Sequence, residues 1–213
     1  MVQTIRASQV SLADLEQRFG LRLTEAPDFF PEWQVAAVSS DPAAVQRLDQ
    51  VKRHFQYLLR QPPVLEGAVK MVVLSPLLEL AGFYDPPFQI RTEAEIKISS
   101  LDADDSPSGG TVVRGAIDVL VLMEQLWLLV IESKMSDFSL TKALAQALSY
   151  MLGSRQSQTF GMITNGSDFI FLKVQSGESA VYGNSRVFSL LNPGNELIEV
   201  LAILRELAQQ ISP

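Results

Sequence analysis

Two apolar segments in the middle of the chain constrain the fold more than any other feature of the sequence. They cover residues 111–123 and 126–134, and most of both lies in the stretch RGAIDVLVLMEQLWLLVIESK. Their apolar character is nearly continuous, which is typical of strands covered on both faces rather than of strands with one face in water. The sequence therefore predicts two central strands joined by a tight turn at Glu124-Gln125.

Further strands are predicted on both sides of this pair. Residues 88–99 alternate between apolar and charged side chains, which is typical of a half-buried strand. The turn residues Asn165-Gly166 predict a hairpin between strands at 159–164 and 169–174.

Helices are predicted where apolar residues recur at three- and four-residue steps. Four of these helices are expected at 11–20, 41–61, 139–153 and 195–210. A more apolar helix begins at Pro63 and ends at Gly82, and Pro76 is expected to kink or split it. The order of elements indicates an α/β fold with a central mixed β-sheet flanked by helices. We expect residues 1–61 to form an α-helical extension packed on a core domain of residues 62–213.

The composition excludes several kinds of chemistry. The 213 residues include no cysteine and one histidine, His54. Disulfides, cysteine nucleophiles and multi-histidine metal centres are therefore excluded, and the cytoplasm is the expected location. The longest apolar run has six residues, Leu126 to Ile131, which is too short for a membrane span. An enzyme built from this chain must rely mainly on carboxylates and lysine, which favour hard divalent metals.

Three ionisable residues interrupt the two central strands near one end. Asp118 lies within the first strand, and Glu132 and Lys134 close the second. A two-residue hairpin loop would place Asp118 opposite Ile131, and a three-residue loop would place it opposite Glu132. In either register the two carboxylates lie on adjacent strands, which are about 4.8 Å apart. Because side chains alternate along a strand, Glu132 and Lys134 share a face and Ser133 points away.

This cluster has two interpretations. Two carboxylates beside apolar strands suffer desolvation and mutual repulsion, and a divalent cation such as Mg²⁺ would relieve both. Lys134 could then orient or help deprotonate a water, or stabilise charge in the transition state, which suits the hydrolysis of a phosphodiester. In the alternative, Asp118, Glu132 and Lys134 form only a structural ion-pair cluster where the strands emerge.

The same residues, with others in order, resemble the PD-(D/E)xK nuclease superfamily. More closely, residues 65–174 resemble the N-terminal nuclease domains of type I restriction enzyme motor subunits and their stand-alone cyanobacterial relatives. The matching elements are Asp118, Glu132-Ser133-Lys134, the pair Gln146 and Tyr150, a helix opened by Glu66 that runs to SPLLELAGF, and the hairpin at Thr164-Asn165-Gly166. Ile117 stands where the motif's name has proline.

This resemblance implies a restriction-endonuclease-like core and a Mg²⁺-dependent endonuclease acting on DNA, with Mn²⁺ as a substitute. It implies Asp118 and Glu132 as metal ligands, with the backbone carbonyl of Ser133 as a further ligand, and Lys134 as the catalytic lysine. It also assigns Gln146 and Glu66 to the catalytic site. The alternative is a non-catalytic DNA-processing or regulatory module that keeps this fold and acts through a partner.

Three of the residues that carry the resemblance have simpler interpretations as well. Glu66 could only stabilise the first turn of its helix, and the amide of Gln146 could either aim at the carboxylates or face solvent. Tyr150 could be a core residue whose hydroxyl makes a hydrogen bond.

The charge of the chain limits how the protein alone can bind DNA, whereas the expected homodimer rests on the fact that nucleases cutting both strands are often dimers. An excess of 24 acidic over 17 basic residues gives a net charge of −7, so we expect only weak, salt-dependent DNA binding by the protein alone. A local basic patch could be formed by four residues, Arg114, Lys142, Arg155 and Lys173, which could equally be a solvated surface. A homodimer and a restriction or DNA-repair partner subunit are the expected assemblies, and no membrane is expected.

Overall fold

The computed structural model describes residues 3–34, 41–99, 111–123, 126–177 and 179–210. The helices are α1 (Leu12–Phe19), α2 (Pro42–Leu58), α3 (Glu66–Val69), α4 (Ser75–Leu80), α5 (Leu140–Met151) and α6 (Leu197–Gln209). The strands are β1 (Gln3–Arg6), β2 (Arg22–Leu23), β3 (Phe88–Ser99), β4 (Thr111–Met123), β5 (Leu126–Ser133), β6 (Gln158–Thr164), β7 (Asp168–Gln175), β8 (Val181–Asn184) and β9 (Phe188–Ser189).

The described strands form one mixed sheet. Its main path runs β1-β4-β5-β6-β7-β8-β2, with β3 paired to β4 and β9 paired to β7. The pairs β1–β4, β5–β6 and β2–β8 are parallel, and the other pairs are antiparallel. The predicted central mixed sheet flanked by helices is therefore confirmed, including the alternating strand at 88–99 and the hairpin after β6. The predicted turn at 124–125 lies outside the described residues.

Two apolar cores lie on opposite faces of the sheet. One core packs α2, α4 and α6 against residues such as Val121 of β4 and Ile131 of β5. The other packs α1 and α5 against residues such as Leu120 and Val130 of the same two strands. Alternate residues of β4 and β5 thus enter different cores, which explains why both strands are apolar almost throughout.

The N-terminal segment departs from the expected helical extension because it also contributes two strands. β1 pairs with residues 111–114 of β4, and β2 pairs with Val181 and Tyr182 of β8. Both strands are too short for a periodic pattern to reveal them, and they form because the edges of β4 and β8 offer unpaired backbone groups. The boundary at residue 61 between extension and core stays a prediction.

The helix expected from Pro63 to Gly82 is interrupted, as its proline suggests. It begins at Glu66, and a π-helical turn spans Lys70–Leu74 between α3 and α4. Pro76 lacks the N–H that would complete the regular ladder, and a wider turn before it accommodates this loss. Within the described ranges, no helix is long and apolar enough to cross a membrane.

Candidate active site

The candidate site lies beside β4, at a gap between the two strands β1 and β5 that pair with it. β3 pairs with β4 from Val112 to Met123 and occupies one edge of that strand. β1 and β5 share the other edge, β1 along residues 111–114 and β5 along residues 119–123. Residues 115–118 of β4 therefore face a gap between β1 and β5, and Asp118 lies at the end of the gap next to β5.

The sheet is irregular at this level. Ile117 packs in the core beside α5, whereas Val119, two residues later, packs in the opposite core. Residues two apart in a regular strand share a face, so β4 changes its orientation on passing Asp118. β3 changes at the same level, because Glu93 has a positive φ of 51° and separates Thr92 from Ala94, which pair with Val119 and Ile117. Because of this irregularity, the side chain of Asp118 does not follow the regular alternation of β4 between the two faces of the sheet.

Asp118 is 7% exposed and accepts hydrogen bonds on both carboxylate oxygens. The backbone N–H and the hydroxyl of Ser133 donate to Oδ2 at 2.7 and 3.1 Å, and the ammonium of Lys70 donates to Oδ1 at 3.1 Å. The expectation that Ser133 points away from the cluster is therefore wrong. Val119 pairs with Ile131, so one further step places Asp118 opposite Glu132. The loop is not the cause, because Met123 pairs with Leu126 as a two-residue loop requires; a β-bulge between Val121 and Leu122 shifts the register by one residue.

Glu132 is the most buried acid of the cluster, with 1% of its surface exposed. Lys134 donates to its Oε1 and forms an ion pair with it. Its other oxygen, Oε2, is buried and has no hydrogen-bond partner among the described residues. Burial, and after it the negative charge of Asp118, raises the pKa of Glu132 to about 8. In the absence of a metal, the negative charge of the ionised Glu132 carboxylate is therefore poorly compensated by its surroundings.

Lys70 is the residue that the sequence analysis missed and the structure places at the centre. Its ammonium contacts Glu66 at 2.9 Å, Asp118 at 3.1 Å and Glu93 at 3.2 Å. Burial alone would lower the pKa of Lys70, but hydrogen bonds to Glu66 and Asp118 and the charge of Asp118 raise it above its ordinary value. With Lys134 and Glu132 included, four carboxylates face two ammonium groups, so the cluster has an excess of negative charge when all are ionised.

Gln146 and Tyr150 form the wall of the site on the α5 side. The amide of Gln146 donates to the Tyr150 hydroxyl at 2.9 Å, and no bond from Gln146 to a carboxylate occurs among the described side chains. The Tyr150 ring packs so closely on Gly115 that a Cβ there would lie 2.7 Å from its hydroxyl oxygen. Burial raises the pKa of Tyr150 to about 12, with smaller contributions from the charges of Glu132 and Asp118.

The structure separates the residues of the suggested basic patch. Lys173 is 7% exposed, forms an ion pair with Glu32 at 2.7 Å and lies near the rings of Phe29, Phe30 and Phe160. It therefore belongs to the interior and cannot contact a phosphate at the surface. Arg114 lines a different concavity, whereas Lys142 is exposed on α5.

Sequence signals existed for some of the missed residues. Glu66 and Lys70 have the i,i+4 spacing of a helical ion pair, which indicates that they contact each other but not that Lys70 reaches Asp118. The alternation along residues 88–99 predicts Glu93 on the charged face of β3, and its contact with Lys70 is not visible in that pattern.

Divalent cation binding can be judged from the oxygen donors present. In the part of the chain that the structure describes, no group of three or more His, Cys, Asp or Glu side chains is arranged to hold a metal ion. Mg²⁺, however, commonly uses only one or two carboxylates and retains several waters. Asp118 and Glu132 meet that requirement, and the unpartnered Oε2 of Glu132 is an oxygen that a cation would satisfy. Lys70 would have to release Oδ1 of Asp118.

Comparison with known proteins does not add a family. No protein-family model matches the chain. No curated protein matches it in sequence.

Proposed function

We propose that this chain is a metal-dependent nuclease that hydrolyses DNA phosphodiester bonds, with a restriction-endonuclease-like fold of the PD-(D/E)xK kind. One observation carries the proposal: Glu132 is buried beside a second carboxylate, Asp118, and keeps one oxygen without a partner. An unmade hydrogen bond of a buried acid costs about 1–3 kcal/mol. Glu32 also has a buried oxygen without a partner and, like Glu132, is paired with a lysine, so the feature that sets Glu132 apart is the neighbouring charge of Asp118. A buried acid whose pKa is raised by burial and by a second carboxylate is typical of a functional site.

The roles follow from the positions of the side chains. Asp118 and Glu132 would hold Mg²⁺, or Mn²⁺ in its place, with the carbonyl of Ser133 as a further oxygen donor. The cation, when bound, would supply positive charge and a more acidic water. Ser133 fixes the orientation of Asp118 through two hydrogen bonds to one oxygen. The second oxygen of Asp118 is thereby left for a cation or for Lys70.

Lys134 would act on the substrate rather than on the fold. It follows β5 directly, its side chain is 17% exposed, and its ammonium already lies beside Glu132. From this position it can hold the attacking water by a hydrogen bond or offset the negative charge that develops on the phosphate. Gln146 and Tyr150 would support the site by fixing each other's orientation, and Glu66 by holding Lys70.

A second candidate is favoured by Lys70. Its ammonium contacts three carboxylates, including Asp118, which would suit a non-catalytic DNA-processing module whose cluster only stabilises the fold. Such a module would act through a restriction or DNA-repair partner. A homodimer and a cytoplasmic location remain expectations of the nuclease proposal too.

Lys70→Met distinguishes the two candidates. In the nuclease the variant removes a competing cation, so calorimetric titration should show Mn²⁺ binding at least as tight as in the wild type. In the structural alternative it leaves Asp118, Glu66 and Glu93 uncompensated, which should cost several kcal/mol of stability without creating a metal site.

A nicking assay on plasmid DNA with Mg²⁺ and with Mn²⁺ completes the test. Asp118→Asn is the inactive variant, and Glu95→Gln, which alters an exposed acid of β3, is the matched control. Cleavage by the wild type and the control but not by Asp118→Asn would support the nuclease. Cleavage that survives Asp118→Asn would contradict it.

A further inference from the structure

A cleft opens beside Lys134 on the face of the sheet that carries α5. Its walls are residues 8–12, which follow β1, and the first two turns of α5, and its volume is about 610 Å³. Ala7, at the start of this segment, lies close to Gly115, so the segment borders the gap along β4. The cleft therefore extends from the candidate active site into a groove between the N-terminal segment and α5.

The charged side chains that line the cleft are basic in a chain that is acidic overall, and Lys134 is the one of them that is already paired, with Glu132. Among the described residues that line it, the ionised ones are Lys134 and Lys142, and none is acidic. Lys142 is exposed and has no ion-pair partner in the described ranges. The carboxylate of Asp14, an acid of α1, accepts hydrogen bonds from the backbone N–H and the hydroxyl of Ser11 and forms an ion pair with Arg18. In a protein with a net charge of −7, a concavity of this sign favours an anionic ligand.

The remaining lining is apolar or neutral. Val10 and Leu12 form an apolar wall on the N-terminal segment, and Phe138 contributes an aromatic ring that is half-buried. The ammonium of Lys134 lies 5.8 Å from the centre of that ring. An aromatic ring beside lysines is the surface on which single-stranded nucleic acids bind, with bases stacked and phosphates on cations. The backbone of an intact duplex presents phosphate and sugar, which are polar and gain little from contact with an apolar wall.

We propose that this cleft binds an unpaired strand of DNA next to the bond that is cut, with Phe138 stacking on a base and Lys142 contacting a phosphate. The assignment of the occupant as DNA rests on the proposed nuclease function. It adds a substrate class, DNA with a single-stranded end, gap or branch. It also assigns residues 8–12, which precede the region of family resemblance, to substrate binding.

The test measures binding separately from cleavage. The full chain is titrated in EDTA against fluorescent oligothymidine and against a fully paired hairpin, and anisotropy is followed over a range of salt. Lys142→Gln removes the cleft cation. Arg53→Gln, on the exposed surface of α2 across the sheet, makes the same change of charge and is the control. Phe138→Leu removes the aromatic ring and keeps an apolar side chain, and thermal unfolding establishes that each variant is folded.

We expect oligothymidine to bind more tightly than the hairpin. Lys142→Gln should lower the slope of log K against log salt by about 0.7, the value for one phosphate contact on a single strand, while Arg53→Gln leaves it unchanged. Phe138→Leu should weaken oligothymidine binding by about fivefold or more and leave hairpin binding as it was. Equal binding of the two DNAs, or equal effects of Lys142→Gln and Arg53→Gln, would overturn the proposal.

The two proposals fail in different ways. A wild type that cuts gapped DNA with Mg²⁺, while Lys142→Gln and Phe138→Leu bind as it does, would refute the cleft and leave the nuclease standing. A wild type that binds oligothymidine through these two residues but never cuts would refute the nuclease and leave the cleft standing. Absence of any oligothymidine binding at low salt would refute the cleft directly.

Discussion

The pH dependence of stability tests the burial of Glu132. Its pKa in the folded protein is raised to about 8 from an ordinary value of 4.5, and the unfolded chain keeps the ordinary value. Between these two pH values the folded protein therefore holds a proton that the unfolded chain has lost, so raising the pH lowers the free energy of unfolding. At about 1.4 kcal/mol for each pKa unit, the metal-free protein should lose about 5 kcal/mol at most.

The informative substitution is Glu132→Gln, which keeps the shape of the side chain and cannot ionise. Urea unfolding in EDTA at a series of pH values should show the decline for the wild type and for Glu95→Gln, the exposed control. It should show little decline for Glu132→Gln. Any contribution of His54 is common to the three proteins and drops out of the comparison.

Mn²⁺ provides the second half of this experiment. A divalent cation binds the ionised carboxylate, so at pH 8 it should raise the free energy of unfolding of the wild type in proportion to the logarithm of its concentration above the Kd. Glu132→Gln should respond weakly or not at all. A wild-type free energy of unfolding that is constant from pH 5 to 8 in EDTA, or that falls equally in the variant, would refute the reasoning.

Three further predictions concern the site and its support. Asp118→Ala should abolish Mg²⁺-dependent cleavage and leave a folded protein, which nicking assays and thermal unfolding would check; unfolding at room temperature would mean that the cluster is structural. Lys134→Met should stay folded, bind Mn²⁺ at least as tightly by calorimetry and lose about 10²–10³ in cleavage rate; cleavage near the wild-type rate would remove Lys134 from the mechanism. Gly115→Ala should lower the free energy of unfolding by about 1–3 kcal/mol in urea, because the new Cβ would overlap Tyr150; a neutral effect would show that the ring moves aside at no cost.

The strands of the sheet could be predicted because their patterns are local. β3 alternates, β4 and β5 are apolar almost throughout, and the Asn165-Gly166 turn marks the β6–β7 hairpin. Each of these signals reflects burial on one face or on both. Their agreement with the structure is therefore expected from side-chain periodicity alone.

The arrangement of the site depends on contacts between distant parts of the chain, which no local sequence pattern predicts. Lys70 meets Asp118 because a π-helical turn precedes Pro76 and because β4 changes orientation between Ile117 and Val119. Such contacts are set by how separate elements pack against one another. No single segment of the sequence determines that packing.

The two short N-terminal strands have a consequence for how the protein is made. Residues 3–6 and 22–23 pair with strands that begin at residues 111 and 181. On the ribosome, residues 3–6 must therefore wait until residues 111–114 have been made, and residues 22–23 until residues 181–182 have been made. Until then the edges of β4 and β8 stay unpaired, and unpaired edges are where growing chains aggregate. β1 and β2 are thus made before the strands that they pair with but join the sheet after them, and the pairing of β1 also brings in the wall of the cleft beside Lys134.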